Sequence, residues 1–323
     1  MTIPFKRIAL PLATLVFVGA VVVGATGAFY GDTETSTGNT FTAGAIDLKV
    51  DSVSHYNRMV CTASGTNGST IYTWQPEVGF TPPAEHFPQT GSACDGTWAE
   101  TDLEGGVQQF FNFLDLKPGD EGEDTISLHV YNNDAWGQLV LGNVVDADND
   151  CTEPEQDMEG VGICGTDADG GEIDNYLAFT GWLVQGSTPG FQCGEAGPNN
   201  AMCDEDPAEG DNEYQASEGP KFWDGDTIND IGPFAISEVL SAAYDIMPGC
   251  STSAPNGNTN YGLCHGIAED GRMVKSTTYY FGLAWELPLD ATGNDAQTDS
   301  YSADMTFNVE QHRNNPTPFA PAP

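Results

Sequence analysis

The sequence predicts an all-β protein: a jelly-roll-like antiparallel β-sandwich with long disulfide-stapled loop insertions and one short helix. Three observations predict it. Apolar residues recur at every second position in several segments, the period of a strand with one buried face. Glycine and proline, 38 and 20 of the 323 residues, punctuate the gaps between those segments. Eight cysteines, an even number, fall in couples along a chain that opens with a secretory leader.

Residues 1–28 read as a signal peptide. Lys6 and Arg7 precede an apolar stretch over 8–23, and small residues follow at Gly24, Ala25, Gly27 and Ala28, so the mature chain should begin at Ala28 or Phe29. Pro11 and Gly19 interrupt an apolar stretch already short for a membrane span. The expected location is extracellular or at the cell surface. Residues 29–40 form a polar segment that opens on an aromatic pair, Phe29 and Tyr30. One elaborated sandwich domain is expected over 41–314, with acidic insertions around 146–264.

Within that domain Ile46, Leu48 and Val50 alternate with Asp47, Lys49 and Asp51. Ile126, Leu128 and Val130 alternate with Thr125, Ser127 and His129. Tyr279, Phe281, Leu283, Trp285 and Leu287 share one face of a strand, and Tyr301, Ala303, Met305, Phe307 and Val309 share one face of another. Such one-sided patterns belong to antiparallel sheets packed face to face. Residues 107–116 and 138–145 carry apolar side chains on both faces, as central strands do. Residues 233–244 read as the helix, with Pro233 in its first turn and Phe234, Val239, Leu240 and Ala243 along one side. Residues 315–323, with four prolines, read as an extended disordered tail.

The couples Cys61 and Cys94, Cys151 and Cys164, Cys193 and Cys203, and Cys250 and Cys264 suggest sequential disulfides, although spacing alone does not fix connectivity. No couple has the C-x-x-C spacing of a zinc or redox site. The formal net charge is −39, and loss of the leader with Lys6 and Arg7 makes it two units more negative. Such a field disfavours nucleic acid and anionic membranes and attracts cations.

Asp146, Asp148 and Asp150 alternate as the opening of a calcium loop does, and Asp167, Asp169, Glu172 and Asp174 lie a short way on. As an EF-hand the first run fails, with Cys151 in the glycine position, Pro154 at position nine and Asp157 at position twelve. An irregular calcium site shared by the two clusters, helped by a Cys151–Cys164 bridge, is one reading; a solvated acidic coat is the other. No cofactor beyond calcium is implied. The five histidines, His55, His86, His129, His265 and His312, form no H-E-x-x-H or other close pair. No catalytic site is read. Trp74, Trp98, Trp136, Trp182 and Trp223 lie in or beside expected loops, where a glycan platform is an alternative to packing. Asn67 sits in an N-x-S sequon.

Three blocks of the chain stand out together. The first is Ala28-Phe29-Tyr30-Gly31-Asp32, then Thr37-Gly38-Asn39-Thr40-Phe41-Thr42-Ala43-Gly44, then Ile46-Asp47-Leu48. The second is Leu116-Lys117-Pro118-Gly119-Asp120 before a strand that ends in Asn. The third comprises the last two strands, around Phe281 and Phe307. In this order the blocks resemble the TasA/camelysin family of secreted biofilm-matrix proteins, and the resemblance implies a structural protein that polymerises head to tail, its N-terminal segment completing the sheet of the next copy, with Phe29 and Tyr30 as anchors. Some members are labelled metallopeptidases, an activity for which this chain shows no zinc motif. The competing class is a monomeric secreted module that binds cations or glycans.

Overall fold

Ten residues of alternating burial open the core. Strand β1 (Asp47–Tyr56) turns through Asn57 and Arg58, both at positive φ as a tight two-residue hairpin requires, into β2 (Met59–Ser64) and then β3 (Ile71–Pro76). The chain continues through β4 (Trp98–Thr101), β5 (Glu121–Tyr131), β6 (Ala135–Ala147), helix α1 (Glu153–Glu159), β7 (Ala178–Leu183), β8 (Lys221–Thr227) and β9 (Phe234–Ala235). Helix α2 (Ile236–Ile246), the small pair β10 (Leu263–Cys264) and β11 (Ile267–Ala268), β12 (Thr277–Glu286) and β13 (Ser300–Gln311) complete it. This computed structural model describes residues 45–64, 70–105, 107–159, 170–184, 212–214, 219–246, 263–264 and 266–319. The leader, Phe29, Tyr30, Asn67, Cys164, Asp167, Asp169, Cys193, Cys203, Cys250 and the side chain of Cys264 lie outside them.

Two antiparallel sheets face each other. The larger has eight strands in the order β3-β2-β1-β5-β12-β7-β8, with β4 also paired to β1; the smaller runs β13-β6-β9. The all-β sandwich is as expected, with strongly unequal layers. On β5, Ile126, Leu128 and Val130 are 1% exposed or less, and Leu128 sits in a row between Val50 and Tyr279. Phe281, Leu283 and Trp285 continue that inner face along β12. Ile126, Phe222 and Phe281 of the large sheet meet Leu139, Phe234 and Phe307 of the small one. Each large side chain removed from water contributes about 1.5–3 kcal/mol, so this layer is the chief stabiliser of the fold.

Three strands cannot cover eight, and residues 107–116 supply part of the missing cover. They do not form the expected strand. Phe110 packs on Trp98 and Phe307, Phe111 on Phe179, and Phe113 between Tyr56 and Trp285. Rings at 110, 111 and 113 break a two-residue period, so the segment inserts them as plugs from an irregular backbone and leaves Val107 and Leu114 largely exposed. Residues 138–145 do lie in a central strand, β6.

The expected helix starts three residues late. Phe234 belongs to β9 and stacks on Phe222 at 4.2 Å, while Ile236, Val239, Leu240, Ala243 and Tyr244 bury the inner side of α2. A second helix, α1, was not expected. It starts with a reciprocal capping box: the Thr152 N–H donates to Glu155 Oε2 at 2.8 Å, and the Glu155 N–H donates to Thr152 Oγ1 at 3.4 Å. The start of the tail is ordered by contacts: Glu310 Oε2 accepts from Asn315 Nδ2 and from the Phe319 N–H. The tryptophans are on strands, and Trp74, Trp182, Trp223 and Trp285, at 5% exposure or less, are core residues and not a platform, while Trp98 and Trp136 are half-buried. Cys61 and Cys94 are bonded, a couple anticipated from the sequence, and tie β2 to the loop before β4. Cys151 is also disulfide-bonded.

Candidate metal centre

One end of the small sheet gathers carboxylates from four parts of the chain. Strand β6 runs out through Asp146 and Asp148. The pairing of Ser300 with Ala147 then sets Asp299, just before β13, beside Asp148. The capping box that starts α1 turns Glu155 inward to full burial. Asp148, Glu155 and Asp299 each present an oxygen, and these atoms lie within 4.8 Å of one another. Asn149 ties the two strand ends together by donating to Thr298 O at 2.9 Å and Ser300 Oγ at 2.8 Å.

A strap over residues 170–174 crosses this corner. The Gly171 N–H donates to Asp146 Oδ1 at 3.1 Å, and the N–H groups of Glu172 and Ile173 both donate to Asp299 Oδ2. Gly170 has φ +99°, and a Cβ there would lie 1.8 Å from Asp146 Oδ2, so only glycine fits under that carboxylate. The strap ends in a short 3₁₀ turn (Ile173–Asn175) that buries Asp174 to 5% exposure. Asp146, Asp174, Asn229 and Tyr301 line an open pocket of ≈ 420 Å³ beside it.

Burial first, and crowded like charges second, show in the proton affinities. Burial pushes the Asp299 carboxyl up to about 6; the two strap N–H groups pull it down, and the charges of Asp148 and Glu155 push it up. Burial, then the charge of Asp146, raises Asp174, with Asn229 acting the other way. Oxygen donors without nitrogen or sulfur suit a hard cation.

Of the residues expected to bind calcium, Asp146 and Asp148 are in this corner. Glu172 contributes its backbone N–H to it. Asp150 is exposed and its Oδ1 accepts from the Cys151 N–H at 3.0 Å. Asp167 and Asp169 lie outside the described residues. Sequence reasoning missed Glu155 and Asp299. The capping-box pattern Thr152-x-x-Glu155 was a legible signal for the first; nothing local marks the second, which arrives through strand register.

The described histidines are tied into the fold elsewhere. His55 contacts Glu77 at 2.9 Å, His86 the Asn57 carbonyl at 2.8 Å, His129 both Asp51 and Thr278, and His312 Asp270 at 3.0 Å. Comparison with models of known protein families gave no match, and comparison with curated proteins gave none.

Proposed function

We propose that this chain is a secreted structural protein of an extracellular matrix or cell surface, a filament subunit that assembles by N-terminal strand addition as the TasA/camelysin proteins it resembles do. The observation that supports this reading is the outer edge of β13. Of the sheet edges, β3 is occupied by the segment after it, since the Trp74 N–H donates to Ser92 O and the Cys94 N–H to Tyr72 O. Strand β8 has register shifts and carries Asp224 and Asp226, devices that discourage pairing, and β9 has only two residues. Strand β13 is twelve residues long and pairs only with β6 among the described residues. Met305, Phe307 and Val309 are half-buried along it.

An extended segment laid on this edge gains backbone hydrogen bonds along its length, and alternate side chains set its register. Phe29 and Tyr30 would anchor it. Because donor and acceptor are different surfaces, the contact propagates head to tail instead of closing on itself. The reading assigns the chain no catalytic chemistry. A monomeric cation-binding module is the second reading, favoured by the carboxylate corner.

Electron microscopy of the mature chain, beside a form lacking residues 29–39, tests the proposal. Filaments from the first and none from the second are expected. Equal polymerisation of both would overturn strand donation, and a mature chain that stays monomeric in every ionic condition would overturn the filament reading.

A further inference from the structure

The corner beside the strap gathers Asp146, Glu155, Asp174 and Asp299. Asp146, Glu155, Asp174 and Asp299 form no ion pair with any lysine, arginine or histidine among the described residues. Two oxygens stand out. Asp174 Oδ1 and Asp299 Oδ1 are both shut off from water and have no hydrogen-bond partner. Asp174 as a whole is 5% exposed and lines the pocket it shares with Asp146. A buried charged oxygen without a partner costs several times what an exposed one does.

Bound calcium ions, one on each side of the strap, would explain both properties. Ligand oxygens stand about 2.3–2.6 Å from such an ion. A hole of that size is too tight for a water molecule, which needs room for a whole solvent sphere. An oxygen facing such a hole, as within the close set of Asp148, Glu155 and Asp299, is therefore dry and has no hydrogen-bond partner in the protein. The remaining carboxylates have the complementary arrangement. Thr152, Gly171, Glu172 and Ile173 donate to Glu155 Oε2, Asp146 Oδ1 and Asp299 Oδ2, and Thr298 Oγ1 donates to Glu155 Oε1, which fixes these side chains.

We propose that this corner binds divalent cations of the calcium class, with Asp148, Glu155 and Asp299 supplying ligands on one side of the strap and Asp174 with Asp146 on the other. Nitrogen and sulfur donors are absent from the set, which disfavours zinc, and the irregular, partly backbone-tied cage suits calcium better than the strict octahedron of magnesium. Binding would join the 170–174 strap to the ends of β6 and β13 and so fasten the acidic insertion to the sandwich. The proposal is independent of the filament reading, because monomeric mature protein serves for every measurement.

Chelator-treated mature chain is titrated with Ca²⁺ by calorimetry in molar NaCl, which screens the general acidic coat to a Debye length of about 3 Å. Saturable binding is expected, weakened at least tenfold by Asp299→Asn and by Asp174→Asn, and unchanged by Asp102→Asn on the exposed surface. Terbium supplies a second, local readout on unmutated protein: Tyr301 lines the pocket and should sensitise its emission, and Ca²⁺ should displace it. The proposal is overturned if the unmutated chain shows no saturable binding in salt. It is also overturned if both variants bind as before, or if Asp102→Asn weakens binding as much as they do.

Discussion

The Tyr56 hydroxyl donates to Asp120 Oδ2 at 2.7 Å across 64 positions of sequence, which fastens the last inner-facing residue of β1 to the turn that launches β5. The same carboxylate accepts from Asn57 Nδ2 at 2.9 Å and from the Lys117 N–H at 2.8 Å. Gly119, at φ +94°, lets the turn close so that its N–H reaches Leu287 O. The Leu-Lys-Pro-Gly-Asp motif is thus a clamp: its final aspartate holds the β1–β2 turn, its own turn and the aromatic cluster of Tyr56, Phe113 and Trp285 in one place.

Asp120→Ala should therefore cost about 2–4 kcal/mol, the sum of several hydrogen bonds to a charged acceptor at a partly buried site. Tyr56→Phe keeps the ring packing and should cost about 1 kcal/mol. Denaturant unfolding followed by tryptophan fluorescence measures both, and equal effects would show that Asp120 stabilises the fold through the Tyr56 hydroxyl alone.

Asp124 gives a pH signature. It is fully buried on the inner face of β5, opposite Ser54 on β1 and Leu283 on β12. Burial drives its carboxyl well above the usual carboxylate range, with the Ser54 hydroxyl acting weakly the other way. The folded state therefore keeps a proton that the unfolded chain releases near pH 3.9, and about this group stability is full below that pH and declines as pH rises through the folded value. Asp124→Asn should flatten the fall in stability between pH 4 and 8, as read from melting temperatures at each pH. A slope unchanged from the parent would place the source elsewhere.

Loss of the Cys61–Cys94 bond is expected to cost about 3–4 kcal/mol, since it closes a loop with a sequence separation of 33 residues. The double variant Cys61→Ala, Cys94→Ala measures it by equilibrium unfolding. Met59 and Trp74, both buried beside this linkage, should keep their packing, so near-ultraviolet dichroism should change little under native conditions.

Filament growth should quicken with salt. At a net charge of −39 for the full chain, copies repel one another over about 10 Å in 0.1 M salt and about 3 Å in 1 M. Light scattering of mature protein across that range should rise with ionic strength, and replacement of Phe29 and Tyr30 by serine should raise the concentration threshold by at least tenfold through loss of about 1.5–3 kcal/mol per anchor. A threshold indifferent to both changes would contradict the strand-donor account.

Strands with one polar face were legible because alternation is local: Tyr279, Phe281, Leu283 and Trp285 declare their face within seven residues. Residues 107–116 misled because an apolar segment that plugs a gap has no period to read, and only the shortage of strands in the small sheet explains why rings were needed there. Helix α1 was hidden by a competing pattern, since the acidic run through Asp150 invited comparison with a calcium loop and drew attention from the cap at Thr152. The carboxylate corner was half legible. Asp146 and Asp148 stood out as neighbours, while Asp299 reaches them only because Ser300 pairs with Ala147.

The long β6–β13 ladder also has a mechanical consequence. A neighbour seated on the outer edge of β13 would pass tension into this subunit along the strand direction. Every hydrogen bond from Ser300↔Ala147 to Gln311↔Ala135 would then bear load together, in shear, instead of being peeled one at a time. One end of that ladder is tied down by Asn149 and the carboxylate corner, and the other by Trp136 Nε1 donating to Asn315 O. A fibre so linked would resist stretching most strongly along its axis and yield more readily to forces applied across it.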